Sequence, residues 1–326
     1  MSNNQTIIKT RQAWLEEPGR FKIREIEISP EPDEVLMKVA YCGLCNWELN
    51  HWKGLIGPYP QPVGHETCGT VYAVGSKVPE GLFKPGDKVT SFALAGFADY
   101  AKANYKACVR IANNVPLDNA IGEPLSCAVN TMRGVAPEVG DFGVIVGCGP
   151  MGLWCIQALS GNQLSALIAV DISDEKLELA KKYGATHTVN PKSQDVTEFL
   201  KKLTNGHMAD FVIEGTGIPK LLNSCVPYLR VGRGRLAMMS SHEEGNVTFD
   251  WRPAMAKGCQ ILVTHPPYAI DMNDHMRRVG ALINRGTFNV KSLITHRFPL
   301  EQIETAFKTL EHKPKDYIKG VVELAP

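Results

Sequence analysis

Gly143-Val144-Ile145-Val146-Gly147-Cys148-Gly149-Pro150-Met151-Gly152 is the stretch whose reading decides the fold. A strand-like run leads straight into G-x-G-x-x-G, and the helix-like residues 153–159 follow, the context a dinucleotide-binding turn requires. Gly147 permits the tight turn, Gly149 lets a pyrophosphate approach the backbone, and Gly152 lets helix and strand pack closely. Pro150 and Met151 complete the turn where the helix N-terminus offers its amides. Asp171 lies 24 residues after Gly147, at the end of the next apolar run, where an acid is expected to accept the ribose hydroxyls. A carboxylate there repels a 2′-phosphate, so NAD is expected over NADP. Lys176, on the first turn of the following helix, is a second candidate for the ribose; Ser173 caps that helix.

Outward from this turn, residues 140–265 alternate apolar strands (144–146, 166–170, 210–213, 235–239 and 260–263) with helical stretches, which predicts a parallel sheet covered on both faces. Residues 1–125 read differently, as short strands at 35–40, 69–74 and 88–92 broken by Gly and Pro clusters, a mostly β unit. After about residue 270, helical segments at 273–284 and 300–311 resume without a flexible linker, so the tail is expected to return to the first unit. The fold class is therefore α/β.

The 326 residues carry 35 basic and 34 acidic side chains, a net charge of +1, so no global field draws the chain to nucleic acid or an anionic membrane. Residues 1–10 are polar, and the longest near-apolar run, 142–156, is interrupted by glycine and proline; no membrane span is expected. Nine cysteines, an odd and scattered set, read as thiols of a reducing cytoplasm. A small-molecule partner is expected.

Cys45, His65, Glu66 and Glu123 together offer the soft, borderline and hard ligands found in catalytic zinc sites. Their gaps of 20 and 58 residues make no local chelate, so spacing alone equally allows a buried cysteine, a core histidine and surface acids. Adjacent His65 and Glu66 could reach one ion only from irregular backbone, which the Gly- and Pro-rich residues 54–64 would supply.

Gly64-His65-Glu66-Thr67-Cys68-Gly69-Thr70-Val71-Tyr72-Ala73-Val74-Gly75 resembles the G-H-E-x-x-G-x-V-x-x-V-G signature of zinc-dependent medium-chain alcohol and polyol dehydrogenases. Cys42-Gly43-Leu44-Cys45 is similar to the family's C-G-[ILV]-C, Glu123-Pro124-Leu125-Ser126 to its polyol-type E-P-L-[SA], and Thr295-His296-Arg297-Phe298-Pro299-Leu300 to a C-terminal run of sorbitol dehydrogenases. The resemblance implies a GroES-like catalytic domain of residues 1–125 and 270–326, a Rossmann domain of residues 126–269, an active site in the cleft between them, and a homodimer or homotetramer. It also implies zinc on Cys45 and His65, with Glu66 and Glu123 sharing the remaining direct or water-mediated role.

Three departures qualify the resemblance. No cysteine occurs between Val89 and Tyr105, where relatives carry a structural-zinc lobe, so one zinc per chain is expected. Trp47 stands where a relay Ser or Thr is usual, and an indole has no acceptor lone pair. His265-Pro266-Pro267-Tyr268 lacks the arginine that binds a sorbitol hydroxyl, which disfavours sorbitol itself. The expected activity is NAD- and zinc-dependent interconversion of a secondary alcohol, a polyol or sugar derivative, with its ketone. Proton removal is assigned mainly to Glu123, with Glu66 and His51 as other routes, Trp47 as a pocket wall, and His51 otherwise packing beside Trp52. The rival expectations are a zinc-free NADPH quinone or enone reductase, which metal content excludes or admits, and a catalytically silent NAD-binding protein, which turnover decides.

Overall fold

The computed structural model describes residues 6–241, 246 and 248–324; the polar segment 1–10 thus lies partly outside the described residues. The chain divides into two compact units, residues 1–126 with 271–326, and residues 127–270.

The first unit begins with a hairpin, β1 (Ile8–Glu17) and β2 (Arg20–Ile28), followed by β3 (Glu34–Gly43), α1 (Asn46–Trp52), β4 (Gln61–Pro62), β5 (Glu66–Val74), β6 (Lys88–Phe92), β7 (Tyr100–Asn104), β8 (Cys108–Arg110) and the start of α2 (Glu123–Val135). In the second unit β9 (Phe142–Val146), α3 (Pro150–Leu159), β10 (Ala166–Val170), α4 (Asp174–Lys182), β11 (His187–Val189), α5 (Val196–Leu203), β12 (Phe211–Glu214), α6 (Leu221–Cys225), β13 (Arg235–Met238), α7 (Trp251–Lys257) and β14 (Gln260–Val263) alternate. The chain then rejoins the first unit as α8 (Met272–Arg285), β15 (Ile294–Pro299), α9 (Ile303–His312) and β16 (Lys319–Glu323).

Strand order β11-β10-β9-β12-β13-β14, all parallel, is a doubly wound sheet. Its central strands are buried along their length and almost wholly apolar, as a sheet covered on both faces requires: every residue of β10 is buried, and Val144, Ile168, Val212 and Leu236 lie in the core. Ser173 caps α4 by accepting from the Lys176 amide, while Lys181 and Lys182 sit on the last turn where the helix dipole favours cations.

In the first unit a three-stranded sheet, β2-β1-β4, accompanies a larger one of order β15-β16-β3-β5-β6-β8, with β7 also pairing β3. β16 lies antiparallel to β3, Val322 opposite Cys42, which brings the C-terminal segment against the Cys42-Gly43-Leu44-Cys45 turn. Met37, Phe97 and Phe307 lie in the core of this unit. β5 starts at Glu66, three residues before the strand expected at 69, and α9 starts after a short turn at Leu300–Gln302. No helix among the described residues is long and apolar enough to cross a membrane.

Candidate active site and dinucleotide site

The metal-type residues are assembled by four separate segments of the first unit. Gly64 takes φ +105°, so His65 leaves the chain on irregular backbone just before β5 becomes regular at Glu66. That kink is why two adjacent residues serve one cluster. Cys45 caps α1, and its sulfur accepts from the Trp47 amide at 3.5 Å. Glu123 opens α2, and Lys319 arrives on β16.

Donor atoms of His65, Glu66 and Glu123 lie within 4.8 Å of one another, as do those of Cys45, Glu48 and His65. His65 Nδ1 is hydrogen-bonded to Glu48 Oε1, and Nε2 faces Glu123 Oε2 at 3.5 Å. Two ligands about 2.1 Å from a tetrahedral zinc stand about 3.4 Å apart, so the second separation fits a shared ion better than a direct bond. Glu48, Glu66 and Glu123 are all buried. Lys319 answers Glu66: its Nζ sits 2.9 and 2.6 Å from the two oxygens of Glu66 and 2.8 Å from the carbonyl of Leu44. A Cβ on Gly43 would overlap the Glu66 carboxylate, which accounts for glycine at that place in the motif.

Without a metal, burial pushes the Glu123 carboxyl up to about 7, with Glu66 and Glu48 adding to the rise. Burial also raises the Cys45 thiol. Burial opposes charge on His65, yet Glu48 and Glu123 hold it well above the ordinary imidazole range. This interior has an excess of acid that a divalent cation would neutralise, and its thiol, imidazole and carboxylate are the mixed donors of a catalytic zinc site. The residues present therefore fit zinc. Among the described residues both metal-competent groups share His65.

On the outer side, the Trp47 ring meets His65 edge-on at 5.6 Å, and Phe92 meets the same imidazole at 5.8 Å. Both aromatics are more than one-third exposed. His51 does not pack beside Trp52 as expected: its ring meets Trp47 at 4.4 Å, its Nδ1 lies 2.8 Å from Gln61 Nε2, and Trp52 stacks on Phe21. Residues four apart share a helix face and adjacent ones do not, so α1 pairs His51 with Trp47.

In the second unit Gly147 takes φ +94°, and a Cβ on Gly152 would collide with the Gly147 carbonyl. Space above Gly149 is open, and Pro150 and Met151 begin α3. Asp171 follows β10 and accepts from the Cys148 amide at 2.7 Å and the Ser173 amide at 2.9 Å, which ties the acid to the glycine turn. Lys176 lies on the first turn of α4, half-buried.

Residues 31–135 match the alcohol dehydrogenase GroES-like domain and residues 150–279 match the zinc-binding dehydrogenase model. The chain belongs to the zinc-type medium-chain alcohol dehydrogenase family. Membership makes it an alcohol–ketone oxidoreductase. Sorbitol dehydrogenase of Ovis aries is 28% identical over 333 residues, covering 90% of each chain, and D-xylulose reductase A of Aspergillus niger is 29% identical over 328 residues, covering 89% of each. Among solved structures, an Escherichia coli oxidoreductase of unknown specificity superposes with TM-score 0.86 at 23% identity, over 98% of this chain and 100% of its own. The 2R,3R-butanediol dehydrogenase of Bacillus subtilis superposes with TM-score 0.82 at 24% identity, over 97% and 100%. These two show the same GroES-like and Rossmann fold.

Glu48, Phe92 and Lys319 are the members of the site that sequence reasoning missed. Glu48 was legible as the acid three residues after Cys45; nothing local marked the other two.

Proposed function

We propose that the protein is an NAD- and zinc-dependent dehydrogenase that interconverts a secondary alcohol, a polyol or sugar derivative, with its ketone. The observation that carries this reading is the pair of clusters that meet at His65, one with Cys45 and Glu48 and one with Glu66 and Glu123, with Glu66 held by Lys319. The polyol class is supported by the names of the sheep and fungal relatives. The odd, scattered set of nine cysteines supports a reducing compartment such as the cytoplasm.

Cys45, His65 and Glu123 would hold the zinc. When bound, zinc supplies Lewis-acid polarisation of the substrate oxygen and NAD supplies the hydride acceptor. Glu48 keeps the His65 proton on Nδ1 and so leaves Nε2 free to ligate, the usual task of a carboxylate behind a metal-binding histidine. Trp47 and Phe92 wall the approach to His65 and orient the substrate carbon skeleton. Asp171 binds the adenosine ribose, with Lys176 beside it, while the amides at the start of α3 face the pyrophosphate. Trp47 stands against both imidazoles and offers no lone pair for a relay between them, so Glu123 takes the hydroxyl proton.

Metal counting after gentle purification is expected to give one zinc per chain, and a panel of secondary alcohols is expected to be turned over with NAD. No zinc and no turnover would overturn the reading. NAD is expected to exceed NADP in kcat/KM. Asp171→Ala should narrow that ratio about tenfold or more, since a hydrogen bond to a charged group contributes about 1.5–3 kcal/mol. The same variant should weaken both cofactors, because Asp171 also braces the Cys148 amide. The pH profile of kcat for alcohol oxidation should lose its acid-side fall in Glu123→Gln and keep it in His51→Asn, with zinc content checked in each. The reverse pattern would assign the proton to His51.

A further inference from the structure

Thr90, fully buried on β6, makes two hydrogen bonds that join ligand-bearing segments of the chain. Its hydroxyl donates to the carbonyl of Thr67 at 3.0 Å and accepts from the amide of Gly122 at 2.9 Å. Thr67 is the residue after Glu66 and the second after His65. Gly122 precedes Glu123, and its carbonyl accepts the first amides of α2, from Leu125 and Ser126 at 3.1 and 3.2 Å. A hydroxyl has one proton and two lone pairs, so the single proton of Thr90 is committed to one segment and a lone pair to the other. Contact is close on the apolar side too: a Cβ on Gly122 would stand 2.7 Å from Thr90 Cγ2, so nothing larger than glycine fits between hydroxyl and helix.

We infer that Thr90 is a positioning residue that sets the separation of His65 from Glu123, and through it the affinity of the metal site. His65 and Glu123 are 58 positions apart in sequence and sit on different elements, and their 3.5 Å spacing has to be held from outside the pair. The Thr90 hydroxyl bridges the backbone two residues after His65 and one residue before Glu123. Hydrogen bonds to the ligating side chains typically govern ten- to a hundred-fold in metal affinity, and Thr90 acts on the backbone that carries those side chains. The inference rests on the reading of Glu123 as a ligand.

The test is zinc affinity by chelator competition, together with thermal stability of each protein with and without zinc. Thr90→Val keeps the shape and removes the hydroxyl; it is expected to lower zinc affinity about tenfold or more and to shrink the rise in Tm that zinc produces. Thr90→Ser keeps the hydroxyl and is expected to bind zinc as the wild type does. If the wild type binds no zinc, the proposed function fails. If the wild type binds zinc and Thr90→Val binds it equally tightly, the positioning role is overturned; it is overturned too if Thr90→Ser loses affinity as Thr90→Val does. Should Thr90→Val not fold, Thr90→Ala is read in its place. Failure of both to fold would make the hydroxyl a determinant of folding and overturn the assignment.

Discussion

Exhaustive chelation, or Cys45→Ser, is expected to lower kcat/KM by three or more powers of ten while leaving NAD binding intact. A catalytic metal stabilises developing charge by several kcal/mol, and each 1.36 kcal/mol is about a factor of ten in rate. Cys45 supplies the soft donor of the group, and serine in its place presents a hydroxyl that does not ionise at neutral pH. The glycine turn and Asp171 belong to the other unit, so a cofactor titration followed by fluorescence should be unchanged. Readdition of zinc should restore the chelated wild type and not the variant. Full activity in the chelated protein would remove zinc from the mechanism and favour a metal-free reductase of the same fold.

The dinucleotide turn was readable because its determinants are local: three glycines, a strand before, a helix after, and an acid at the end of the next strand. The doubly wound sheet was readable for the same reason, since strands buried on both faces are continuous apolar runs. The β1–β2 hairpin escaped notice because β2, with Arg24, Glu25 and Glu27 between its apolar residues, keeps only Phe21 buried. The metal group could not be derived from spacing. Cys45, His65 and Glu123 come together through strand pairing and helix placement, and only the resemblance of motifs named them in advance. Lys319 had no signal: it is 253 residues from Glu66 in sequence and reaches it because β16 pairs with β3. Thr90 is hidden for a similar reason, its role residing in two backbone contacts. Adjacency in sequence says little about contact on a helix: the repeat of α1 pairs His51 with Trp47, four residues before it.

Lys319→Met should destabilise the metal-free protein by about 3–5 kcal/mol, the usual consequence of removing one partner of a buried ion pair. Lys319 is buried, its charge is favoured against burial by Glu66 and Cys45, and its contacts include the two oxygens of Glu66 and the Leu44 carbonyl. Take the lysine away and Glu66 is an isolated carboxylate in the interior. A divalent ion held by the Cys45 thiolate, the Glu123 carboxylate and neutral His65 would make an electrically neutral set, and the Glu66–Lys319 pair is neutral beside it, which leaves the Glu48 carboxylate behind His65 as the remaining charge. Without the lysine the freed Glu66 carboxylate would be available to a bound cation and would then compete with substrate for it. Stability of Lys319→Met should therefore recover on adding zinc more than that of the wild type does, while kcat/KM falls. Glu66→Gln in the Lys319→Met background removes the unpaired charge, so the double variant should regain most of the lost stability and of the activity. A double-mutant cycle reads the coupling directly, because the two side chains touch and their effects should not add. Additive effects would mean that Lys319 acts by filling space beside Leu44, and that Glu66 is governed by something other than the lysine.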